Sequence, residues 1–118
     1  MYKLFLDDVR DPTEVTWVKL PDGPWTIVRN YNQFVDYITK NGLPEFVAFD
    51  HDLADEHYGT NPNKIEYKEK TGYSCAKWLI EYCMDNNKLF PDYAVHSMNS
   101  IGKMNIMSLV ESFKSTIK

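Results

Sequence analysis

Phe46-Val47-Ala48-Phe49-Asp50-His51-Asp52-Leu53 decides how this chain folds. Four apolar residues in succession read as a strand buried on both faces. Such strands belong to parallel sheets covered on their faces, and ligands collect just beyond their carboxyl ends. Asp50, His51 and Asp52 fall at that end. Two carboxylates around one imidazole can hold a metal ion or move protons, and they repel each other when nothing neutralises them.

The flanking sequence repeats the pattern. Upstream, residues 2–6 form a short apolar strand closed by Asp7-Asp8. Pro12 then enforces a turn or loop, because the residue before a proline avoids the helical region. Residues 13–24 carry Pro21, Gly23 and Pro24 without a clear period and read as irregular, with a short strand near Val15–Val18. Residues 25–29 are a second core strand. Asn30 caps a helix whose Tyr31, Phe34, Val35 and Ile38 make one apolar face. Gly42 ends that helix and Pro44 forbids its continuation. Downstream, residues 54–70 are a long polar segment, read as a functional loop or lid that includes His57. A helix from Tyr73 to about Asn86 buries Cys75, Ala76, Leu79, Tyr82 and Cys83, with Trp78 beside the stripe. Residues 93–96 are a fourth strand ending in His96-Ser97. Asn99 or Ser100 caps a last helix, from about Lys103 to Ser115, with Ile106, Met107, Val110 and Phe113 toward the core.

Strands alternating with helices predict an α/β fold, a small three-layer sandwich on a mostly parallel four-stranded sheet. Residues 1–118 are read as one domain. Because parallel strands run the same way, all their carboxyl ends share one edge. Asp7-Asp8, Arg29, Asp50-His51-Asp52 and His96-Ser97 meet there. Clustered carboxylates favour a cation, and hard oxygen donors suit Mg²⁺ or Mn²⁺. Pairing to Arg10 or Arg29 is the alternative, and Arg29 is equally suited to gripping a phosphate. His51 and His96 are candidates for acid–base work or metal ligation. Thr71-Gly72 and residues 97–102 open helices whose backbone N–H groups can receive an anion. Ser97 lacks a nucleophile elbow and reads as a hydroxyl donor or a cap.

Bulk properties narrow the partners. With 43% hydrophobic and 25% charged residues, the composition is that of a globular domain. A net charge of −4 and a pI near 5.3 argue against broad binding to duplex nucleic acid, but not against a small phosphate ligand. No apolar run approaches the roughly 20 residues that span a bilayer. The acids at positions 7 and 8 do not fit a signal peptide. Cys75 and Cys83 would lie about 12 Å apart on one helix, too far for a disulfide, which fits a reducing, cytosolic setting. Trp17 and Trp25 are read as core or interface residues, with oligomeric state open. No phosphate-loop, dinucleotide or zinc motif is present.

The strings Leu4-Phe5-Leu6-Asp7-Asp8-Val9-Arg10-Asp11-Pro12, Val28-Arg29, Phe49-Asp50-His51-Asp52-Leu53, Thr71-Gly72 and His96-Ser97-Met98-Asn99-Ser100-Ile101-Gly102-Lys103-Met104-Asn105 together resemble the cyclic-phosphate processing receiver-like domain. The resemblance covers nearly the whole chain. It implies a reduced receiver-like (flavodoxin-like) topology, with relatives in bacteria and their phages and a cytoplasmic location. It implies that the acidic pair Asp7-Asp8 binds Mg²⁺ and that Asp50 stands at the phosphoacceptor position. With Asp50 and Asp52 the candidate Mg²⁺ or Mn²⁺ site comprises Asp7, Asp8, Asp50 and Asp52, the alternative for Asp52 being to orient His51 or cap the loop that follows. His51, His96 and Asp50 would act on a cyclic phosphate, with Arg10, Arg29, Thr71, Gly72, Ser97, Asn99 and Asn105 around the anion. The implied partner is a small phosphate-containing ligand, a nucleotide or an RNA end. A receiver's lysine after a fifth strand has no counterpart, which argues against phosphorelay through Asp50. The expectation is therefore a metal-assisted phosphoesterase, with a non-catalytic nucleotide-sequestering protein as the alternative and a receiver-type switch behind both.

Overall fold

Each apolar run becomes a strand and each amphipathic stretch a helix. The structure is a computed structural model that describes residues 2–53 and 71–116. Its elements in order are β1 (Lys3–Leu6), a 3₁₀ turn (Pro12–Glu14), β2 (Trp25–Val28), α1 (Tyr31–Asn41), β3 (Phe46–Phe49), α2 (Gly72–Asp85), β4 (Asp92–Val95) and α3 (Ser100–Thr116). The loop reading of residues 54–70, His57 included, lies outside the described residues. The strands form one sheet in the order β2-β1-β3-β4, and every pairing is parallel. The chain is thus a small α/β receiver-like, flavodoxin-like domain with a sheet that is parallel throughout.

Strand alternation divides the core. Leu4, Leu6, Val28, Val47, Phe49 and Val95 face α1, α2 and α3, which cover them with Phe34, Ile38, Leu79, Ile106 and Val110. Phe5 and Ala48 face the other way and pack with Val15, Val18, Leu20, Trp25 and Phe46. All three helices therefore contribute to a single core face. The third layer of the sandwich is the irregular segment between β1 and β2, not a helix. No strand forms at Val15–Val18. Prolines 12, 21 and 24 remove backbone donors and fix φ around this stretch, so its valines reach the sheet as side chains without joining the ladder.

Local chemistry sets the helix ends. The Asn30 side chain accepts from the Gln33 N–H at 2.8 Å, and Gly42 closes α1 at φ 84°, a left-handed conformation that suits glycine. Thr71 and Ser74 cap the start of α2 reciprocally. The Asn99 side chain accepts from the Gly102 N–H at 2.9 Å, so α3 begins at Ser100, three residues earlier than the apolar period suggests. Gly102, Ile106 and Val110 form its inner stripe, whereas Met107 is exposed, because position 107 turns about 100° away from Ile106. Neither cysteine is in a disulfide, and both are buried. No helix of the described residues is long and apolar enough to cross a membrane.

Candidate active site

The sheet register builds the site. Leu6, Val28, Phe49 and Val95 lie side by side across the four strands. The next residues are Asp7, Arg29, Asp50 and His96. The ladder runs one residue further, with Asp7 N–H donating to Val28 O, Asp50 N–H to Leu6 O and His96 N–H to Phe49 O, at 2.9–3.2 Å. Leu6, Phe49 and Val95 point to the helices, so Asp7, Asp50 and His96 point to the opposite face. Neighbouring parallel strands are about 4.8 Å apart, which brings the three side chains together. One ligand-type atom of each lies within 4.8 Å of the others, and all three residues are buried.

Hydrogen bonds fix this cluster. Oδ1 of Asp7 accepts from the N–H groups of Val9 and Arg10 at 2.9 and 2.8 Å. Oδ2 lies 3.0 Å from Nε2 of His96 and 3.6 Å from the Arg10 guanidinium. The His96 ring stacks on Phe5 at 4.6 Å between centroids. Its Nδ1 is buried without a hydrogen-bond partner. An ionised Asp7 carboxylate can only accept, so Nε2 carries the proton. Burial works to raise the Asp7 pKa, but the bonds from His96, Arg10 and Val9 outweigh it and hold the group at about 2. Asp50 is the opposite case. Burial and then the Asp7 charge push its pKa up to about 6, against the counteracting pull of His96 and the His51 N–H and with a further push from Asp8. Two buried carboxylates beside an imidazole with an orphaned nitrogen, one of them held above its ordinary range first by burial and then by the other's charge, are a donor set that a divalent cation fits.

His51 stands apart from this cluster and is half-buried. Its N–H donates to Oδ1 of Asp50 at 2.8 Å, and its Nδ1 lies 2.9 Å from Oδ1 of Asp52. The exposed Asp52 carboxylate accepts from Nδ1, so in the neutral ring the lone pair falls on Nε2. Asn99 Nδ2 also reaches Asp52 Oδ1, at 3.4 Å, and Asn99 N–H donates to Ser97 Oγ at 3.1 Å. Asp52 thus orients His51 and lies outside the three-residue cluster. The His51 ring rests on Gly102, where a Cβ would come within 2.6–2.8 Å of its Cδ2 and Nδ1.

The remaining candidates have structural duties. Arg29 donates to the carbonyls of Arg10 (2.7 Å) and Asp7 (3.2 Å) and pairs with Asp11 (3.0 Å). Its fork is occupied in tying down the loop after β1. An Arg29→Ala variant should lose about 1–2 kcal/mol of stability in a denaturant titration, the scale of two or three partly exposed hydrogen bonds. Gly72 N–H donates to His51 O at 2.7 Å, so α2 starts against the end of β3. Arg10 lies over the ring of Trp17, 5.3 Å from its centroid, while Trp17 Nε1–H donates to His96 O at 2.7 Å. Thr71 and Asn105 line a cleft with His51. Gly102 and Trp17 support the site in ways the sequence reading did not give: Gly102, read there as part of an anion-receiving helix start, seats the His51 ring, and Trp17, read as core or interface, bonds the carbonyl of His96.

A four-stranded parallel sheet with an acidic cluster past β1 and β3 defines a receiver-like α/β domain. The family model for the cyclic-phosphate processing receiver domain matches residues 2–112, and the chain belongs to that family. No curated protein and no solved structure gives a significant match.

Proposed function

We propose that this protein hydrolyses a cyclic phosphate to a phosphate monoester, using Asp7, Asp50 and His96 to hold a divalent cation and His51 as the base. The observation that carries this reading is the in-register convergence of two buried carboxylates and an imidazole, with the Asp52-oriented His51 one residue from Asp50. Mg²⁺ or Mn²⁺ held by Asp7, Asp50 and His96 would neutralise the carboxylates and polarise a phosphoryl oxygen. His51 Nε2 takes a proton from water as the water oxygen attacks phosphorus. The ring P–O bond breaks, and the leaving oxygen takes up a proton from solvent or from the His51 imidazolium, giving a free hydroxyl beside a monoester. Arg10, at the rim of the cluster beside Asp7, would face the anion's charge. His96 is fully buried, and its part is to hold Asp7 and the cation.

The test is ³¹P NMR of the protein with Mn²⁺ or Mg²⁺ and a panel of nucleoside 2′,3′- and 3′,5′-cyclic phosphates. Turnover of at least one is expected, abolished by chelation and reduced about 10²–10⁴-fold by His51→Ala, the usual worth of a positioned base. Saturable binding with no turnover, unchanged in His51→Ala, would make the protein a nucleotide-sequestering module. Labelling of Asp50 by a phosphoryl donor would make it a receiver-type switch.

A further inference from the structure

The edge that carries His51 also opens into a second space. Between the start of α2 and one flank of α3 lies an open cleft of about 600 Å³, with His51 in its wall. That volume is within the range of small-molecule sites. The cleft is further lined by Thr71 and Tyr73 at the start of α2 and by Asn105, Ser108, Leu109 and Ser112 on α3. Positions 105, 108 and 112 share one flank of a helix and extend about 10 Å along it. Their side chains, and that of Thr71, are neutral and can both donate and accept hydrogen bonds. Tyr73 adds a partly exposed aromatic ring, 37% accessible. Among the described residues, no lysine or arginine lines the cleft. A site for a phosphate chain would need cationic forks or converging N–H groups along its length. Neutral hydroxyl and amide groups beside an aromatic ring instead match the sugar hydroxyls and planar base of a nucleoside.

We propose that this cleft is a nucleoside subsite, in which the sugar and base of the substrate lie along Asn105, Ser108 and Ser112 while its phosphate stands at His51. The inference rests on the cyclic-phosphate reading for the position of the phosphate. It makes the substrate a nucleotide and assigns recognition to two serines outside the catalytic machinery.

Calorimetric titration in the presence of Mn²⁺ with two cyclic phosphates tests it, one a nucleoside 2′,3′-cyclic monophosphate and the other glycerol 1,2-cyclic phosphate, which lacks sugar and base. The wild type should bind the nucleotide at least about tenfold more tightly, the worth of one or two extra hydrogen bonds. Ser108→Trp and Ser112→Trp, at solvent-exposed helix positions, fill the cleft. Each should erase most of that preference and leave the glycerol ligand's Kd unchanged. Amide resonances of Ser108 and Ser112 in the wild type give a readout that needs no variant, since they should move with the nucleotide and stay still with the glycerol ligand. Equal affinities for the two ligands, equal weakening of both in the variants, or unmoved serine resonances would overturn the nucleoside subsite while leaving the cyclic-phosphate reading intact. Failure of the wild type to bind either ligand would overturn both.

Discussion

Asp50→Asn should make the metal-free protein more stable at pH 7.5 while lowering the proposed turnover at least a hundredfold. In the folded chain, burial and the neighbouring Asp7 charge raise the Asp50 pKa from 3.8 to about 6. Folding therefore takes up a proton at this group. The stability it contributes is complete below about pH 3.8 and is lost as pH rises through about 6, leaving an ionised, unneutralised carboxylate at neutral pH. The asparagine carbonyl can still accept the His51 N–H, so the variant removes the charge and keeps the bond. The gain should be about 1–3 kcal/mol, roughly 4–12 °C in Tm for a domain of this size. It should vanish near pH 4, where the wild-type carboxyl is protonated. Asp7 has the opposite sign: its pKa is lowered to about 2, so its contribution is present above about 3.8 and fades as pH falls toward 2. Mn²⁺ should stabilise the wild type at pH 7.5 and do so far less for Asp50→Asn. Turnover should drop at least a hundredfold, since even partners one step removed from a metal are worth ten- to a hundredfold. Thermal melts across pH 4–8 with and without metal, paired with the ³¹P assay, decide the matter. A destabilised or still active variant would remove Asp50 from the centre of the site.

Gly72→Ala should be the most damaging glycine-to-alanine change among the described residues. The first turn of α2 is pressed onto the end of β3, with Gly72 N–H bonded to His51 O. A Cβ at position 72 would lie 2.8 Å from the carbonyl carbon of Asp50 and nearer still to its oxygen. Both partners are backbone, one in a helix and one at the end of a core strand, so neither can swing aside as a side chain can. Relief requires shifting α2 off the sheet, which disturbs Cys75, Ala76 and Leu79 in the core. The expected loss is about 3 kcal/mol or more, at or beyond the upper end of ordinary overpacking. A denaturant titration monitored by circular dichroism measures it. Gly42 is the comparison: nothing lies within 4 Å of a Cβ there, and only its φ of 84° is at stake. Gly42→Ala should cost about 1–3 kcal/mol, since φ 84° with ψ −178° is a region held essentially by glycine. A smaller loss at position 72 than at position 42 would show that α2 is not seated on β3 as described.

Much of this was written in the local sequence. The apolar runs ending in Asp7, Arg29, Asp50 and His96 point to four strands, because runs so short, closed by polar residues, fit a buried strand better than a helix. Their alternation with helices specifies parallel pairing and hence a shared carboxyl edge. Asn30, Gly42, Thr71 and Asn99 mark helix ends through hydrogen bonds made within three or four residues, which is why those signals are readable along the chain.

What the sequence left open depends on which way a side chain faces at the end of a strand, and that is decided by register. Leu6, Phe49 and Val95 are aligned and face the helices, so Asp7, Asp50 and His96 turn together to the other face. The imidazole is thereby drawn into the acid cluster, and Asp52 is left outside it on His51. Arg29 sits at the same level, but the carbonyls of the loop after β1 occupy its guanidinium. Trp17 comes from a segment with no period of its own, and only the folded chain brings its indole to the carbonyl of His96, 79 positions away. The strands, helix caps and shared edge were set by the sequence alone, through neighbours a few residues apart. The division of labour at that edge was decided by tertiary structure, because its contacts join residues distant in the chain and depend on the pairing register.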